Sequence, residues 1–192
     1  MAGEDWEAVA AAFDDAPDHG LRDPAVRAAW WSVLEPALPG PPAAVADLAC
    51  GTGSLSLLLV DHGHAVTGVD LAPAMLDRAR AKLAGRAELL LGDVSAPPLP
   101  DGAFDVVLAR HVLFALPDPE AAMSRWVRLL APGGRLVLVE GFWHTGSGLH
   151  AEEVRRIVLR ERQEAVVTDL ADRPELWGGS VSDERYLVTS RF

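Results

Sequence analysis

From residue 45 onward, short apolar runs alternate with stretches of helical period. Near-continuous apolar runs at 45–48, 65–69, 87–91, 104–109 and 135–140 read as strands covered on both faces. Helical stretches lie between them. One starts at Pro73 and carries Leu76, Ala79 and Leu83; another starts at Asp118-Pro119 and carries Met123, Trp126, Val127 and Leu130, ended by Pro132-Gly133-Gly134. This alternation implies right-handed βαβ units and an open sheet. After Glu140 the order changes to a glycine-rich loop at 141–148. A helix follows from Ala151 to about Arg162, presenting Val154, Ile157 and Val158, and then two β-prone runs at 164–169 and 185–190. The linker between those runs, with Pro174, Trp177, Gly178 and Gly179, has no room for a helical crossover, so they pair antiparallel. The expected fold is α/β: a doubly wound seven-stranded sheet, mostly parallel with the last strand antiparallel, and helices on both faces.

Residues 1 to about 38 read as two helices forming a small N-terminal helical cap. Trp6, Val9, Ala10 and Phe13 make one apolar stripe. The second helix opens at Asp23-Pro24, an acid suited to the N-cap and a proline suited to the first helical position, and turns Val26, Trp30, Val33 and Leu34 inward. Asp15 to Gly20 is a turn-rich loop, and Pro39-Gly40-Pro41-Pro42 separates the cap from the sheet. One domain is expected over 1–192, with cap and linker at 1–42, a ligand-binding core at 43–141, and a C-terminal helix and strand pair at 142–192.

Composition narrows the function classes. No apolar stretch approaches the roughly 20 residues of a membrane span, and Glu4, Asp5 and Glu7 replace the basic start of a signal peptide. The expectation is a soluble, cytoplasmic protein without a membrane partner. A formal net charge of −11 argues against a nucleic-acid partner. Lys82 is the only lysine beside sixteen arginines, which with the heavy alanine content reads as coding bias. The single cysteine, Cys50, reads as a small packing residue, and with no Cys/His cluster at metal-ligand spacing no metal is expected.

The candidate chemistry sits at the strand ends. Asp47-Leu48-Ala49-Cys50-Gly51-Thr52-Gly53 runs straight into a helical stretch, so backbone N–H groups and a helix N-terminus can approach a ligand. A dinucleotide fingerprint would need a third glycine at position 56, which is Ser. Asp70 closes the second strand and Asp93 the third. At the carboxyl edge of such a sheet, the former can accept from ribose hydroxyls and the latter from an exocyclic amine. Each acid alone also suits a helix cap or a solvated turn; three at successive strand ends beside the glycine turn suit a site.

These segments, with Val69-Asp70-Leu71-Ala72-Pro73-Ala74-Met75-Leu76, Gly92-Asp93, Phe104-Asp105-Val106-Val107 and Leu129-Leu130-Ala131-Pro132-Gly133-Gly134-Arg135-Leu136, resemble class I S-adenosylmethionine-dependent methyltransferases over residues 43 to 141. The resemblance implies S-adenosylmethionine as cofactor, with S-adenosylhomocysteine as product. It implies cofactor contacts from Asp47, Ala49, Gly51, Gly53, Asp70, Leu71, Met75, Asp93, Val94 and Arg110, the last through its backbone. Two departures stand out: Ala49, where glycine is commoner, and Ala72, where Ser would cap the next helix.

The acceptor side is less defined. His111 after strand four and His144 after strand five are candidate bases, and His19, Trp31, Phe114 and Trp143 candidate substrate contacts, with Trp177 a further wall. A packed or solvent-facing structural role is the commoner fate of each. His62, His64 and His150 read as surface turn residues. Arg110-His111-Val112-Leu113 replaces the Asn/Asp-Pro-Pro-Tyr/Phe run of amino-methyltransferases. The expected partner is a small-molecule acceptor methylated on O, N or C. An RNA methyltransferase, a cofactor-binding protein that transfers no methyl group, and more distantly an NAD-dependent oxidoreductase are the alternatives. The oligomeric state is open.

Overall fold

The computed structural model describes residues 6–191; Glu4 and Asp5, part of the N-terminal expectation, lie outside the described residues. The strands are β1 (Ala44–Leu48), β2 (Ala65–Asp70), β3 (Glu88–Leu91), β4 (Phe104–Arg110), β5 (Leu130–Phe142), β6 (Val166–Asp169) and β7 (Glu184–Ser190). The helices are α1 (Trp6–Val9), α2 (Pro17–Gly20), α3 (Pro24–Leu34), α4 (Ser54–Asp61), α5 (Pro73–Leu83), α6 (Pro119–Leu129), α7 (Ala151–Val158) and α8 (Pro174–Trp177). All seven strands join one sheet in the order β3-β2-β1-β4-β5-β7-β6. Strands β1 to β5 pair in parallel, and β7 runs antiparallel to both β5 and β6. The architecture is the expected doubly wound sheet.

Strict alternation along the central strands explains why the sheet is covered twice. Val45, Val106, Leu108, Val137 and Val139 face one core with Trp30, Leu34, Leu55, Leu58 and Leu59 of α3 and α4. Ala46, Leu48, Val107, Ala109, Leu136 and Leu138 face the other with Met123, Trp126, Leu129, Val154 and Val158 of α6 and α7. A one-residue slip would exchange the two faces, so the pattern also sets the register.

Two expectations need correction. Pro132-Gly133-Gly134 does not lie beyond the sheet: β5 already begins at Leu130, which pairs with Phe104, and the segment to Arg135 bows outward before pairing resumes at Val106. Proline's missing N–H and Gly133 at φ 79° fit such an interruption. The first N-terminal helix is also not continuous. It breaks into α1, a 3-10 turn at Phe13–Asp15, and α2, which occupies part of the predicted loop.

The break has a physical cause. Asp14 turns inward (7% exposed), where Lys82 of α5 reaches it at 2.9 Å and also donates to the hydroxyls of Thr52 (3.0 Å) and Ser54 (2.7 Å). Thr52 in turn donates to Asp14. A Cβ at Gly20 would stand 2.1 Å from the Asp14 carbonyl oxygen, so only glycine lets the chain fold back here. The lone lysine, read as coding bias, latches the cap onto the turn after β1. Replacing Lys82 by Met strands a buried carboxylate, and urea unfolding should show a loss of about 1–3 kcal/mol. The double variant Lys82→Met/Asp14→Ala should lose less than the two single losses combined; strict additivity would mean no latch.

Candidate active site

Loops leaving the carboxyl edges of β1, β2 and β4, with the cap above them, enclose a cavity of about 320 Å³. Asp47, Ala49, Gly51, Asp70, Leu71, Met75, Asp93, Val94 and Arg110 all line it. Gly53, the remaining expected contact, does not. At φ 76° it opens α4, and a Cβ there would meet Ala79 Cβ at 3.0 Å and Leu83 Cδ1 at 3.1 Å, so its place is the α4–α5 packing.

Asp70 joins two of the loops. Its carboxylate accepts from Gly51 N–H at 2.8 Å and from Ala72 N–H at 2.9 Å, while burial raises its pKa against those bonds. Asp93 is exposed and accepts from Ser95 N–H at 2.8 Å, and the neighbouring Val94 carbonyl is held by the Trp126 indole N–H at 2.7 Å. Asp47 lies deepest (2% exposed): burial lifts its carboxyl to about 6, opposed by a hydrogen bond from the Ser56 hydroxyl and by the Arg110 charge. Burial pushes the Cys50 thiol well above its ordinary value, the state of a packing residue rather than a nucleophile.

Both departures noted in the sequence have structural consequences. Ala49 sits at φ 58°, a left-handed conformation costing roughly 1–2 kcal/mol for a residue with a Cβ. Ala72 supplies no side-chain cap, but Glu7 of α1 accepts from Ala74 N–H at 3.2 Å and so caps α5 from the other end of the chain. The cap elements also form much of the cavity wall through Trp6, Val9, Phe13 and His19. Of these, the sequence reading singled out only His19; the other three read as an ordinary apolar stripe.

Arg110, expected to contact the ligand through its backbone, lines the cavity and also uses its side chain structurally. Its guanidinium donates to the Asp18 carbonyl and lies 5.3 Å from the Trp30 ring, tying β4 to α2. Of the two candidate bases, only His111 lines the cavity. His144 is exposed, its ring 3.1 Å from Asp183 Oδ1, and is not at the site. His19 lines the cavity, stacked on Phe13 with ring centroids 4.4 Å apart. Trp31 lies elsewhere, stacked on His62 at 3.6 Å. Phe114 and Trp143 pack together at 4.9 Å behind the cavity, with Trp143 edge-on to His111 at 5.2 Å. Trp177 is buried, and its indole N–H donates to the Leu170 carbonyl. His64, expected on the surface, is buried (5% exposed) near Trp31, and burial lowers its pKa.

Glu140, which the sequence reading passed over, shapes the far wall. Fully buried at the end of β5, it accepts through Oε1 from the N–H groups of Val112 (3.0 Å) and Leu113 (2.8 Å), fixing the loop that follows His111.

Residues 46–138 match a family model described as a methyltransferase domain. Over 109 residues, 54% of this chain and 50% of the relative, the chain is 44% identical to a demethylmenaquinone methyltransferase from Thermus thermophilus. It is 33% identical to a malonyl-[acyl-carrier protein] O-methyltransferase from Serratia marcescens, over 65% of this chain and 54% of that one. The chain thus spans about half the length of the curated relatives it matches. Among solved structures, it superposes with TM-score 0.75 at 20% identity, over 98% of this chain and 97% of the other, on a chain from the complex between the Haloferax volcanii Trm112 methyltransferase activator and a methyltransferase. That likeness is one of fold.

Burial lifts Glu140 to about 7. The folded protein therefore keeps this proton through a range where the unfolded chain, at an ordinary carboxyl value of about 4.3, gives it up. Each pH unit between the two values costs the fold about 1.4 kcal/mol, and the loss stops above the folded value. Glu140→Gln removes that slope. The variant's unfolding free energy minus the wild type's, from urea curves, should rise by about 3 kcal/mol between pH 4.5 and 7.5. Parallel pH profiles would rule out the buried, protonated Glu140.

Proposed function

We propose that the chain is a class I S-adenosylmethionine-dependent methyltransferase that transfers a methyl group to a small-molecule acceptor, a reading supported by the methyltransferase-domain match over residues 46–138 and by the methyltransferase relatives. The observation that carries the reading is the convergence of Asp47, Asp70 and Asp93 with the Gly51 turn on one cavity. The lining residues fit the cofactor: Asp70 to accept from the ribose hydroxyls, Asp93 to accept from the adenine amine, Leu71 and Met75 to pack against the nucleoside, and Asp47 to face the positively charged amino-acid end. A Cβ built at Gly51 meets only Phe13, at 3.5 Å, so the turn is open on its ligand side.

When bound, S-adenosylmethionine supplies an electrophilic methyl group on a sulfonium. The protein's part is to align an acceptor with that methyl group and to keep water away. Val9, Phe13, Val112, Ala115 and Leu116 give the wall a mostly apolar character, suited to a small, flat or apolar acceptor. The named activities of the matched relatives support a small acceptor too. The negative charge of the chain disfavours RNA. Among described residues, no helix is long and apolar enough to cross a membrane.

Calorimetry with S-adenosylmethionine and S-adenosylhomocysteine tests the first step, and absence of binding to both would overturn the reading. Asp70→Ala should weaken binding by about 1–3 kcal/mol, roughly 5- to 150-fold, through lost charged hydrogen bonds. Unchanged affinity would remove the ribose assignment. Radiolabelled methyl transfer to quinols, phenols, amines and carboxylic acids, with RNA as a further arm, tests the acceptor class. Labelling of RNA alone would replace the small-molecule reading.

A further inference from the structure

Asp18, His19 and His111 bring three proton-binding side chains together where the cap meets the end of β4. One ligand atom from each lies within 4.8 Å of the others, and both histidines line the cavity. The residues come from α2 and from the residue after β4, so sequence spacing conceals the group.

His111 is held unusually. Its backbone is at φ 56°, in the left-handed region that costs a non-glycine residue roughly 1–3 kcal/mol, and its N–H donates to the Val139 carbonyl at 2.8 Å. The ring stands edge-on to Trp143, and its Nε2 is buried without a hydrogen-bond partner. His19 stands 6.4 Å from it, centroid to centroid, with Nε2 at 3.6 Å from the Asp18 carboxylate. His19 (30%) and Asp18 (16%) are both partly exposed, so the group leads from the cavity toward solvent.

Two readings of such a cluster compete: a divalent cation, or a proton. Charge decides between them. His111 faces Arg110 of β4, His19 of α2 and Arg185 of β7. His19 faces Arg110, Arg185, Asp18 and Asp14. The charges of two guanidinium groups therefore act on both imidazoles, and those of Asp18 and Asp14 on His19. A divalent cation would add two positive charges to that set. A transferred proton adds one, next to a carboxylate. Burial, then Arg110, lowers the pKa of both rings, that of His111 furthest, so both are neutral and able to accept near pH 7.

We infer that His111 takes the proton from the acceptor and that His19 and Asp18 carry it out, so the chain methylates acceptors bearing a dissociable proton on oxygen, nitrogen or acidic carbon. This rests on the methyltransferase reading above. As the bond from the acceptor atom to the methyl carbon forms, the carbon–sulfur bond breaks and its electron pair stays on sulfur. The acceptor's X–H proton passes to the His111 imidazole, then to His19, where the Asp18 carboxylate stabilises it before release to water. A span of up to 4.8 Å calls for one bridging water or a ring rotation between the imidazoles. His111 is the catalytic base; His19 and Asp18 are positioning residues.

Two measurements test this, and neither needs the natural acceptor. In ¹⁵N-histidine NMR of the full chain, the two rings should titrate as a coupled pair below the ordinary imidazole range. His19→Gln should raise the His111 midpoint, because it removes a neighbouring charge; an unmoved midpoint would overturn the relay. With S-adenosylmethionine, methyl transfer to a naphthohydroquinone, a phenol and a primary amine is compared with transfer to a thioether and a tertiary amine. His111→Gln should lower kcat at least about 100-fold for the proton-bearing set, with KM changed less than threefold. His19→Gln should lower it about tenfold and move the acid limb of the pH profile upward. Equal losses for both sets, or activity abolished by a chelator and restored by a divalent cation, would overturn the inference. Unperturbed calorimetric binding of S-adenosylhomocysteine to both variants separates this outcome from failure of the cofactor reading.

Discussion

One carboxylate holds the cavity-forming edge of the sheet together. Asp70 ends β2, yet its two oxygens accept from the turn after β1 at Gly51 and from the entrance to α5 at Ala72. Without those bonds the two loops would each need to satisfy their own N–H groups, and the crevice between β1 and β2 would have no fixed width. Asp70 also lines the cavity, and a carboxylate oxygen has capacity for more than one hydrogen bond. A single acid can therefore shape the loops and still face a ligand. Burial raises the Asp70 pKa and the two N–H groups oppose the rise; the structural bonds favour the ionised form a ribose would need.

The part of the cap before α3 is fastened largely by polar contacts, whereas α3 itself packs into a sheet core through Val26, Trp30, Val33 and Leu34. The small cluster of that first part, Ala10 with Ala72 and Met75, is minor beside the two cores of the sheet. The fastening contacts include Asp14 to Lys82 and Thr52, Glu7 to Ala74 N–H, Ser54 to the Gly20 carbonyl, and the Asp18 carbonyl to Arg110. Each joins the cap to an element bordering the cavity. A lid fastened this way can reorganise more readily than a buried core, while its wall residues Trp6, Val9, Phe13 and His19 stay close to the site.

The legibility of the chain follows the same division. The central strands were readable because strands buried on both faces must be apolar; the edge strand β3, expected to be covered on both faces, is instead exposed or half-buried throughout and joins β4 without an intervening helix. The acids at β1, β2 and β3, all three lining one cavity, were readable from their places at successive strand ends. The broken cap was not. The stripe of Trp6, Val9, Ala10 and Phe13 has a helical period, but Asp14 obeys a contact with Lys82 some 68 residues away and Gly20 folds back on Asp14, and local periodicity carries no trace of either. Lys82 itself was hidden by composition, since one lysine among many arginines looks accidental. His144 and Trp31 were plausible by position after a strand or in the cap, and burial and orientation, which the sequence does not encode locally, placed them elsewhere. Arg110 was placed by position as a backbone contact, and its side chain turned out to reach the cap.

The strained His111 shows why Glu140 matters. A histidine at φ 56° persists only where the surroundings over-determine it. Three hydrogen bonds do so: His111 N–H to the Val139 carbonyl behind, and Val112 and Leu113 N–H to Glu140 ahead. Glu140 is itself costly to bury, with Oε2 left without a partner, so the fold retains an uncomfortable carboxyl where an apolar residue would pack without that penalty. An apolar side chain could fill the space but could not accept the two N–H groups. The chain after β4 would then be free to relax His111 toward an ordinary conformation and swing the ring away from Trp143 and His19. Local cost on two adjacent strands is thus linked to one outcome, a ring held at the cavity wall.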